Sequence, residues 1–278
     1  MIIPVKNEEK NLPACLEALG DDWDEIFVVD SGSSDKTIEI AKKHGASIIN
    51  FVWDGRFPKK RNWFLDHGGI KNDWCLFLDA DEIVNYQFQK EVVEAIQSQE
   101  HNGYWLNYTN YFMDRPLYHG VRQRKLALFR RSMGRYERID EDYWTGLDME
   151  VHEHPQLTGS IGHIITRIDH RSFQGLNKFL ESHLEYAKWE AARYLKLNDS
   201  PDLIELTRRQ KIKYYFINKT WFAFIYFFFN YFIKLGFMDG FAGLQYSIFK
   251  GWYFLTISLM ISEERNKQRK DDTVVFRN

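Results

Sequence analysis

Leu76-Phe77-Leu78-Asp79-Ala80-Asp81-Glu82 is the stretch whose reading decides the fold. The run Trp74–Leu78 is continuously apolar, the pattern of a strand covered on both faces, and it delivers two carboxylates, one residue apart, into a loop. Such a pair can hold a divalent cation against a diphosphate while leaving sites open for phosphate oxygens and water. The same letters also allow a plainer arrangement, with Asp79 capping a following helix and Asp81 in solvent.

Working outward, the first 80 residues alternate between strand and helix patterns. Met1–Val5 is a short apolar run that ends in the polar turn Lys6-Asn7-Glu8-Glu9. Asn11–Leu19 carries Leu12, Cys15, Leu16 and Leu19 on one helical face. Glu25–Val29 is a strand ending at Asp30, Ser31-Gly32-Ser33-Ser34-Asp35 is a turn, and Lys36–His44 is a helix. Ala46–Phe51 completes a third strand before the Trp74 strand. This alternation implies parallel strands with right-handed crossovers, and ligands then bind at the carboxyl ends, where Asp30 and Asp79 both fall. Later, Tyr104–Asn110, Lys125–Phe129 and Ile161–Ile168 have strand patterns, and Asp140–His154 is a polar loop. From Phe173 the chain is helical in pattern, so the expected division is a catalytic domain over 1–172 and a helical extension over 173–278.

Composition excludes several classes. With 37 Lys+Arg against 39 Asp+Glu the net charge is −2, which does not suit a phosphate-neutralising nucleic-acid binder. A 44% hydrophobic and 27% charged chain is globular rather than disordered. Two cysteines, Cys15 and Cys75, cannot form a disulfide framework, and a reducing compartment is expected. Met1-Ile2-Ile3-Pro4 has no basic or long apolar leader pattern. Neither Gly-x-x-x-x-Gly-Lys nor Gly-x-Gly-x-x-Gly occurs, so P-loop and dinucleotide readings lack their phosphate cradle. His152, His154, His163 and His170 have no helix-borne His-x-x-x-His or cysteine partner, which argues against a zinc site.

The aromatic content is high: 22 Phe, 15 Tyr and 9 Trp, 17% of the chain. Much of it lies in the last third, where Arg208, Arg209, Lys211, Lys213 and Lys219 precede the apolar stretch Trp221–Ile233. That stretch is shorter than the roughly 20 residues needed to span a bilayer. A basic segment beside an aromatic one suits a membrane interface; a pair of core helices, packed on the catalytic domain or a second subunit, is the alternative.

Three motifs in order, Pro4-Val5-Lys6-Asn7-Glu8-Glu9, Val29-Asp30-Ser31-Gly32-Ser33 and Asp79-Ala80-Asp81, resemble those of family 2 glycosyltransferases with the GT-A fold. Trp53–Asn62, Asn110-Tyr111-Phe112, His119-Gly120, Val151-His152-Glu153, His170 and Gly236-Phe237-Met238-Asp239-Gly240 are similar to the branch that contains lipopolysaccharide inner-core β-1,4-glucosyltransferases. The resemblance implies an α/β GT-A sheet flanked by helices, with a helical, aromatic-rich C-terminal extension. It further implies an inverting, metal-dependent transfer of a hexose from a UDP-sugar to a lipopolysaccharide-core or other glycolipid hydroxyl, forming a β-linkage. Pro4, Lys6, Asn7, Glu8 and Asp30 would line the nucleotide pocket, with Lys60 or Arg61 on the diphosphate. Asp79, Ala80 and Asp81 would form the metal turn, and Asp79 and Asp81 would hold Mg²⁺ or Mn²⁺. His170 stands open between a third ligand to that ion, a phosphate contact, and a core or strand-end histidine. The expected setting is cytoplasmic, peripheral on the inner face of the cytoplasmic membrane, with oligomerisation left open. Two other readings stand beside it. One is a nucleotidyltransferase with a paired-Asp metal site, disfavoured because the loop Lys6–Glu9 lacks glycine. The other is a non-catalytic sugar- or membrane-binding module, disfavoured because Asp30, Asp79, Asp81 and Glu153 are all intact.

Inverting transfer needs a base for the acceptor proton on the face opposite the diphosphate. Glu153, in Val-His-Glu, matches the branch; Asp142, in Glu141-Asp142, matches the commoner family signature but stands nearer the metal motif; Asp148 matches an acid that would position the acceptor. Glu153→Gln is expected to lower turnover roughly a hundredfold or more while nucleotide binding persists, read by steady-state kinetics beside nucleotide titration. Near-normal turnover would transfer the role to Asp142.

Overall fold

Strand β1 (Ile2–Val5) is buried at every position and pairs in parallel with β2 (Phe27–Asp30), which pairs in parallel with β3 (Ser47–Asn50). The computed structural model describes residues 1–20, 23–138, 148, 155–199 and 206–275. The crossovers are α1 (Leu12–Leu19) and α2 (Thr37–Lys43); α1 buries Leu12, Cys15, Leu16 and Leu19, the face its spacing predicts. On the other side of β1, the chain after β4 (Trp74–Leu76) runs parallel to it: Ile2 bridges Phe77, and the Leu78 N–H donates to the Ile2 carbonyl at 3.0 Å. The parallel order read from the sequence thus holds from β3 through β2 and β1 to this segment.

The rest of the sheet is mixed. β4 lies antiparallel to β8 (Arg124–Arg130), β8 antiparallel to β6 (Gly103–Phe112), β6 parallel to β11 (Ile161–His170), and β11 antiparallel to the two-residue β5 (Glu82–Ile83). A short β7 (Arg115–Leu117) pairs with β6, and β9 (Gly134–Tyr136) pairs antiparallel with β10 (Pro155–Leu157). Helices α3 (Lys60–His67) and α4 (Tyr86–Ser98) complete this unit; the side chain of Asn85 caps α4 by accepting from the Phe88 N–H at 2.9 Å. Its core gathers Ile3, Val28, Val29, Leu78, Phe64, Phe88, Leu106 and Phe129, each fully enclosed.

The chain divides into two compact units, Met1–Pro116 with Arg122–Ser172, and Leu117–Val121 with Phe173–Asn278. The second is helical: α5 (Leu176–Asp199), α6 (Arg208–Phe216), α7 (Thr220–Phe228) and α8 (Gly240–Val275). Thr207 and Gln210 form a reciprocal capping box at the start of α6. A π-helical turn (Phe229–Ile233) and a 3₁₀ turn (Gly236–Asp239) join α7 to α8. Ala191, Tyr194, Tyr214, Ile217, Ala223, Phe254 and Ile257 form the core here. No single helix among the described residues is long and apolar enough to cross a membrane; Thr220–Ile233 and Gly236–Arg269 reach such a length and apolarity only together, as a pair bent by 72°.

The bend is built on close backbone approach. A Cβ on Gly243 would stand 2.0 Å from the Gly236 carbonyl oxygen, a backbone atom with no rotamer in which to retreat. Gly251, by contrast, faces the Ala223 carbonyl oxygen at 3.3 Å and the Phe227 Cβ at 3.4 Å. Gly243→Ala is therefore expected to destabilise the helical unit by about 3 kcal/mol and Gly251→Ala by much less, measured by urea unfolding followed by circular dichroism.

Candidate functional site

The tip of β4 is organised by a carboxylate that sequence reading passed over. Glu82 is fully buried, and its Oε2 accepts from the Asp79 N–H at 3.2 Å and from the Tyr108 hydroxyl at 3.3 Å. The Lys125 ammonium, delivered from the start of β8, donates to both Glu82 Oε1 and Asp79 Oδ2. Arg61, from α3, donates to Asp79 Oδ1 at 2.7 Å and lies over the Tyr136 ring. Burial pushes the Glu82 carboxyl up from its ordinary range, and Lys125 opposes the shift. Burial would also raise Asp79, but the Lys125 and Arg61 cations outweigh it and hold Asp79 well below the usual carboxylate range. Burial alone would lower Lys125; Asp79 and Glu82 together raise it instead.

A second consequence of Glu82 is register. β5 pairs with the end of β11 so that His170 stands opposite Glu82, and the Arg171 N–H donates to the Asp81 carbonyl at 2.8 Å. His170 Nε2 then lies 3.5 Å from Asp81 Oδ2. On its other side, His170 Nδ1 meets the Asn110 side-chain oxygen at 3.0 Å, across the parallel pairing of β11 with β6. With the Asn110 oxygen as acceptor, Nδ1 would carry the proton and Nε2, on the Asp81 side, would be the nitrogen able to ligate. Burial would lower the His170 pKa, but the adjacent Asp81 carboxylate raises it above the ordinary value.

Asp81, Glu82 and His170 offer ligand atoms that all lie within 4.8 Å of one another. Two carboxylate oxygens and one imidazole are a donor set that suits Mg²⁺ or Mn²⁺, so the residues fit the metal expected from the motif. The structure brings together Asp81 and His170, two of the three ligands read from the sequence, and adds Glu82. Asp79 sits outside this trio, bonded to Arg61 and Lys125, and Lys125 holds Glu82 as well. In the cluster, three carboxylates against Arg61 and Lys125 leave one negative charge when His170 is neutral.

The other predicted residues take these places. Pro4 lies in β1 opposite Val29, Ala80 is buried in the turn after β4, and Lys6 is exposed. Asn7 adopts the left-handed backbone region, which Asn tolerates, at φ 58°. Its N–H donates to Ser33 Oγ at 2.8 Å, and its side-chain oxygen accepts from the Ser34 N–H at 2.8 Å. The Glu8 N–H donates to Thr37 Oγ1 at 2.8 Å, so the first two motifs zip together. Asp30 closes its own turn, accepting from the Gly32 and Ser33 N–H groups and from Ser33 Oγ. Lys60 is drawn inward: its ammonium donates to the Val5 carbonyl at 3.0 Å and pairs with Asp148 at 3.3 Å. Burial lowers its pKa, with Asp148 opposing. Of the two cations expected near a diphosphate, Arg61 is the one beside the β4 tip, and Asp148 is engaged by Lys60. Asp142 and Glu153, with Glu141, His152 and His154, lie outside the described residues. The signals for the two missed residues were local: Glu82 directly follows the Asp-Ala-Asp turn, and Lys125 directly precedes the apolar run Leu126–Phe129.

Residues 1–155 match the sequence profile of glycosyl transferase family 2. The chain belongs to that family. Among its relatives are an uncharacterised glycosyltransferase of Rickettsia bellii (strain RML369-C), 34% identical over 102 residues, and a 4,4'-diaponeurosporenoate glycosyltransferase of Staphylococcus haemolyticus (strain JCSC1435), 32% identical over 110 residues. Each match covers 37% of this glycosyltransferase chain and respectively 34% and 29% of the relative, so the chain spans about a third of those proteins. Among solved structures, S. aureus TarS 1–349 in complex with UDP-GlcNAc aligns with 96% of this chain and 91% of that one, at a TM-score of 0.48 and 14% identity. Glucosyl-3-phosphoglycerate synthase from Mycobacterium tuberculosis, in complex with Mn²⁺, UDP and phosphoglyceric acid, aligns with 40% and 42% of the two chains, at a TM-score of 0.32 and 21% identity. Family membership and the parallel sheet with its acidic strand tips agree on the GT-A fold.

The trio makes a direct prediction. His170→Ala and Asp81→Asn are each expected to weaken Mn²⁺ binding more than about tenfold, and Asn110→Ala, which frees the imidazole ring, by about tenfold. Isothermal titration with Mn²⁺ checks all three; unchanged affinity in His170→Ala removes the imidazole from the site.

Proposed function

We propose that this family 2 glycosyltransferase moves a hexose from a UDP-sugar to a hydroxyl of a lipopolysaccharide-core or other glycolipid acceptor, with inversion to a β-linkage. The observation that carries the reading is the Asp81–Glu82–His170 cluster, beside the cation-held Asp79, at the tip of a sheet strand in a chain of this family.

The chemistry follows from where charge develops. As the glycosidic bond breaks, negative charge moves onto the departing diphosphate, and groups that meet it there stabilise the transition state more than the ground state. Asp81, Glu82 and His170 would hold Mg²⁺ or Mn²⁺, which when bound supplies positive charge to the diphosphate oxygens. Arg61 would add a fixed cation on the same side, already oriented by Asp79. Lys125 holds the side chains of Asp79 and Glu82 in place without a metal, so the site stands preformed. Asn7, Glu8 and Asp30 would contact the nucleotide from two loops that already brace each other. Asp30 has used three acceptor positions on its own turn and keeps capacity for one more donor, such as a base N–H or a ribose hydroxyl. Glu153 would take the acceptor proton, with Asp142 as the competing carboxylate; Asp148, fixed by Lys60, would position the acceptor side.

A panel of UDP-sugars, read by UDP release with and without EDTA, tests the reading. Release that depends on Mn²⁺ or Mg²⁺ and falls to background with EDTA is the expected result. Pyrophosphate release from a nucleoside triphosphate and a sugar phosphate would instead indicate a nucleotidyltransferase, and turnover of neither donor class would leave a binding module.

A further inference from the structure

The helical unit exposes an apolar surface that its own core does not use. Phe224, Phe228 and Ile233 on the α7 side of the bend, and Phe237, Met238 and Phe241 on the α8 side, are each about half exposed or more, Phe224 at 69% and Phe241 at 72%. We propose that the bend between α7 and α8 is a preformed wedge that enters the interfacial layer of an anionic lipid bilayer without crossing it.

Three observations select a bilayer as the occupant. The first is how the polar groups at the bend are satisfied. A break between two helices frees backbone donors and acceptors, which water would satisfy at an ordinary surface loop but hydrocarbon would not. Here several of them are met from within. The Lys234 N–H donates to the Phe229 carbonyl at 2.8 Å, the Met238 N–H to the Leu235 carbonyl at 2.9 Å, and the Gly120 N–H to the Lys234 carbonyl at 2.8 Å. Asn230, 2% exposed, donates to Ser247 Oγ at 2.7 Å and accepts from the Val121 N–H at 2.7 Å. Asp239 accepts from the N–H groups of Tyr118 and His119 and from the His119 ring. A surface turn in water needs no such enclosure, whereas a turn that carries aromatic rings into lipid does.

The second is charge. From Thr207 to Met238 there is no Asp or Glu, while Arg208, Arg209, Lys211, Lys213, Lys219 and Lys234 all fall in this segment. Arg208, Arg209, Lys211 and Lys219 are exposed on α6 and at the entry to α7. Anionic head groups complement that set. A second copy would bring the same cations and no acidic residue from this segment to meet them. The third is Lys234, the one charged residue among the apolar positions Trp221–Met238: its ammonium lies over the Phe229 ring at 5.3 Å, on a stem long enough to reach the head-group level while the rings go deeper. The bend of 72° lets both arms lie near the interface plane, with the apolar face roughly 5–10 Å into the head-group/acyl boundary.

A reporter at the apex tests this with the full chain. Cys15 and Cys75 are buried, so Met238→Cys can be labelled selectively with an environment-sensitive fluorophore. With vesicles holding phosphatidylglycerol in phosphatidylcholine, emission is expected to shift to the blue and to be quenched by bromine atoms on the lipid chains. Phe237→Asp with Phe241→Asp, both at exposed positions, is expected to lower vesicle partitioning at least about tenfold with an unchanged circular dichroism spectrum. Arg209→Glu and Lys219→Glu are each expected to weaken binding to anionic vesicles roughly fivefold or more, an effect that added salt suppresses. An apex label that stays silent on anionic vesicles overturns the proposal. So does a label already blue-shifted without lipid in a chain that light scattering finds dimeric, which would make this face a contact between copies. Neither result bears on the donor panel, so the membrane reading and the enzymatic one fail separately.

Discussion

A carboxylate with no access to water has to be neutralised by something, and in this protein Lys125 does it for Glu82. Removing one partner of a buried pair costs about 3–5 kcal/mol, so Glu82 and Lys125 require each other. The rest of the site hangs on that pair. Glu82 anchors the turn of Asp79 and Asp81 through the Asp79 N–H, and β5 places His170 opposite it. Lys125 reaches the same turn from β8 and takes Asp79 as its second acceptor. A sheet edge that would otherwise collect three repelling carboxylates therefore becomes a fixed arrangement with one negative charge in excess. That excess is what a divalent cation needs, and the ion's charge would then turn the cluster positive toward a diphosphate.

The two loops beyond β1 and β2 show the same economy with weaker bonds. Asn7 in its left-handed conformation and Asp30 at its strand end both spend side-chain hydrogen bonds on backbone N–H groups of the β2–α2 turn. These bonds define the loops before any ligand arrives, which lowers the ordering cost of binding. They also leave a carboxylate that closes its own turn able to take a ligand. A carboxylate offers about four acceptor positions, and the turn occupies three.

Much of this was legible in the sequence because it depends on local pattern. The apolar run Trp74–Leu78, the helical face Leu12–Leu19 and the strand ending at Asp30 are short-range signals; the helical face forms where its spacing placed it, and the two strands form within a few residues of theirs, at Trp74–Leu76 and Phe27–Asp30. The antiparallel half of the sheet was not legible as topology, although Tyr104–Asn110, Lys125–Phe129 and Ile161–Ile168 carry strand patterns. Pairing order is a long-range property: β6 sits between β8 and β11, and no period in the sequence records that. The two-residue β5 is too short to leave a pattern, yet it sets the register of His170. Glu82 and Lys125 were overlooked for a related reason. A charged residue beside an acidic turn, or at the start of a strand, reads as solvated until the fold shows that both are turned toward one enclosed spot.

The aromatic surplus divides along the same line between local signal and packing. Tyr194, Tyr214 and Phe254 are consumed by the helical core, as in any helix bundle. Phe224, Phe237 and Phe241 are not, and burying a large side chain stabilises by only about 1.5–3 kcal/mol, so leaving several exposed forgoes a sizeable fraction of a domain's stability. The fold holds them out on a rigid frame: Gly236 and Gly243 let two backbones touch, and Asn230 ties the π turn to Ser247. A mobile turn would have folded its rings back onto the nearest apolar surface. A frame that prevents such collapse keeps apolar area available for something outside the chain, and the run of cations without acids that leads into it sets the sign of charge that surface can meet.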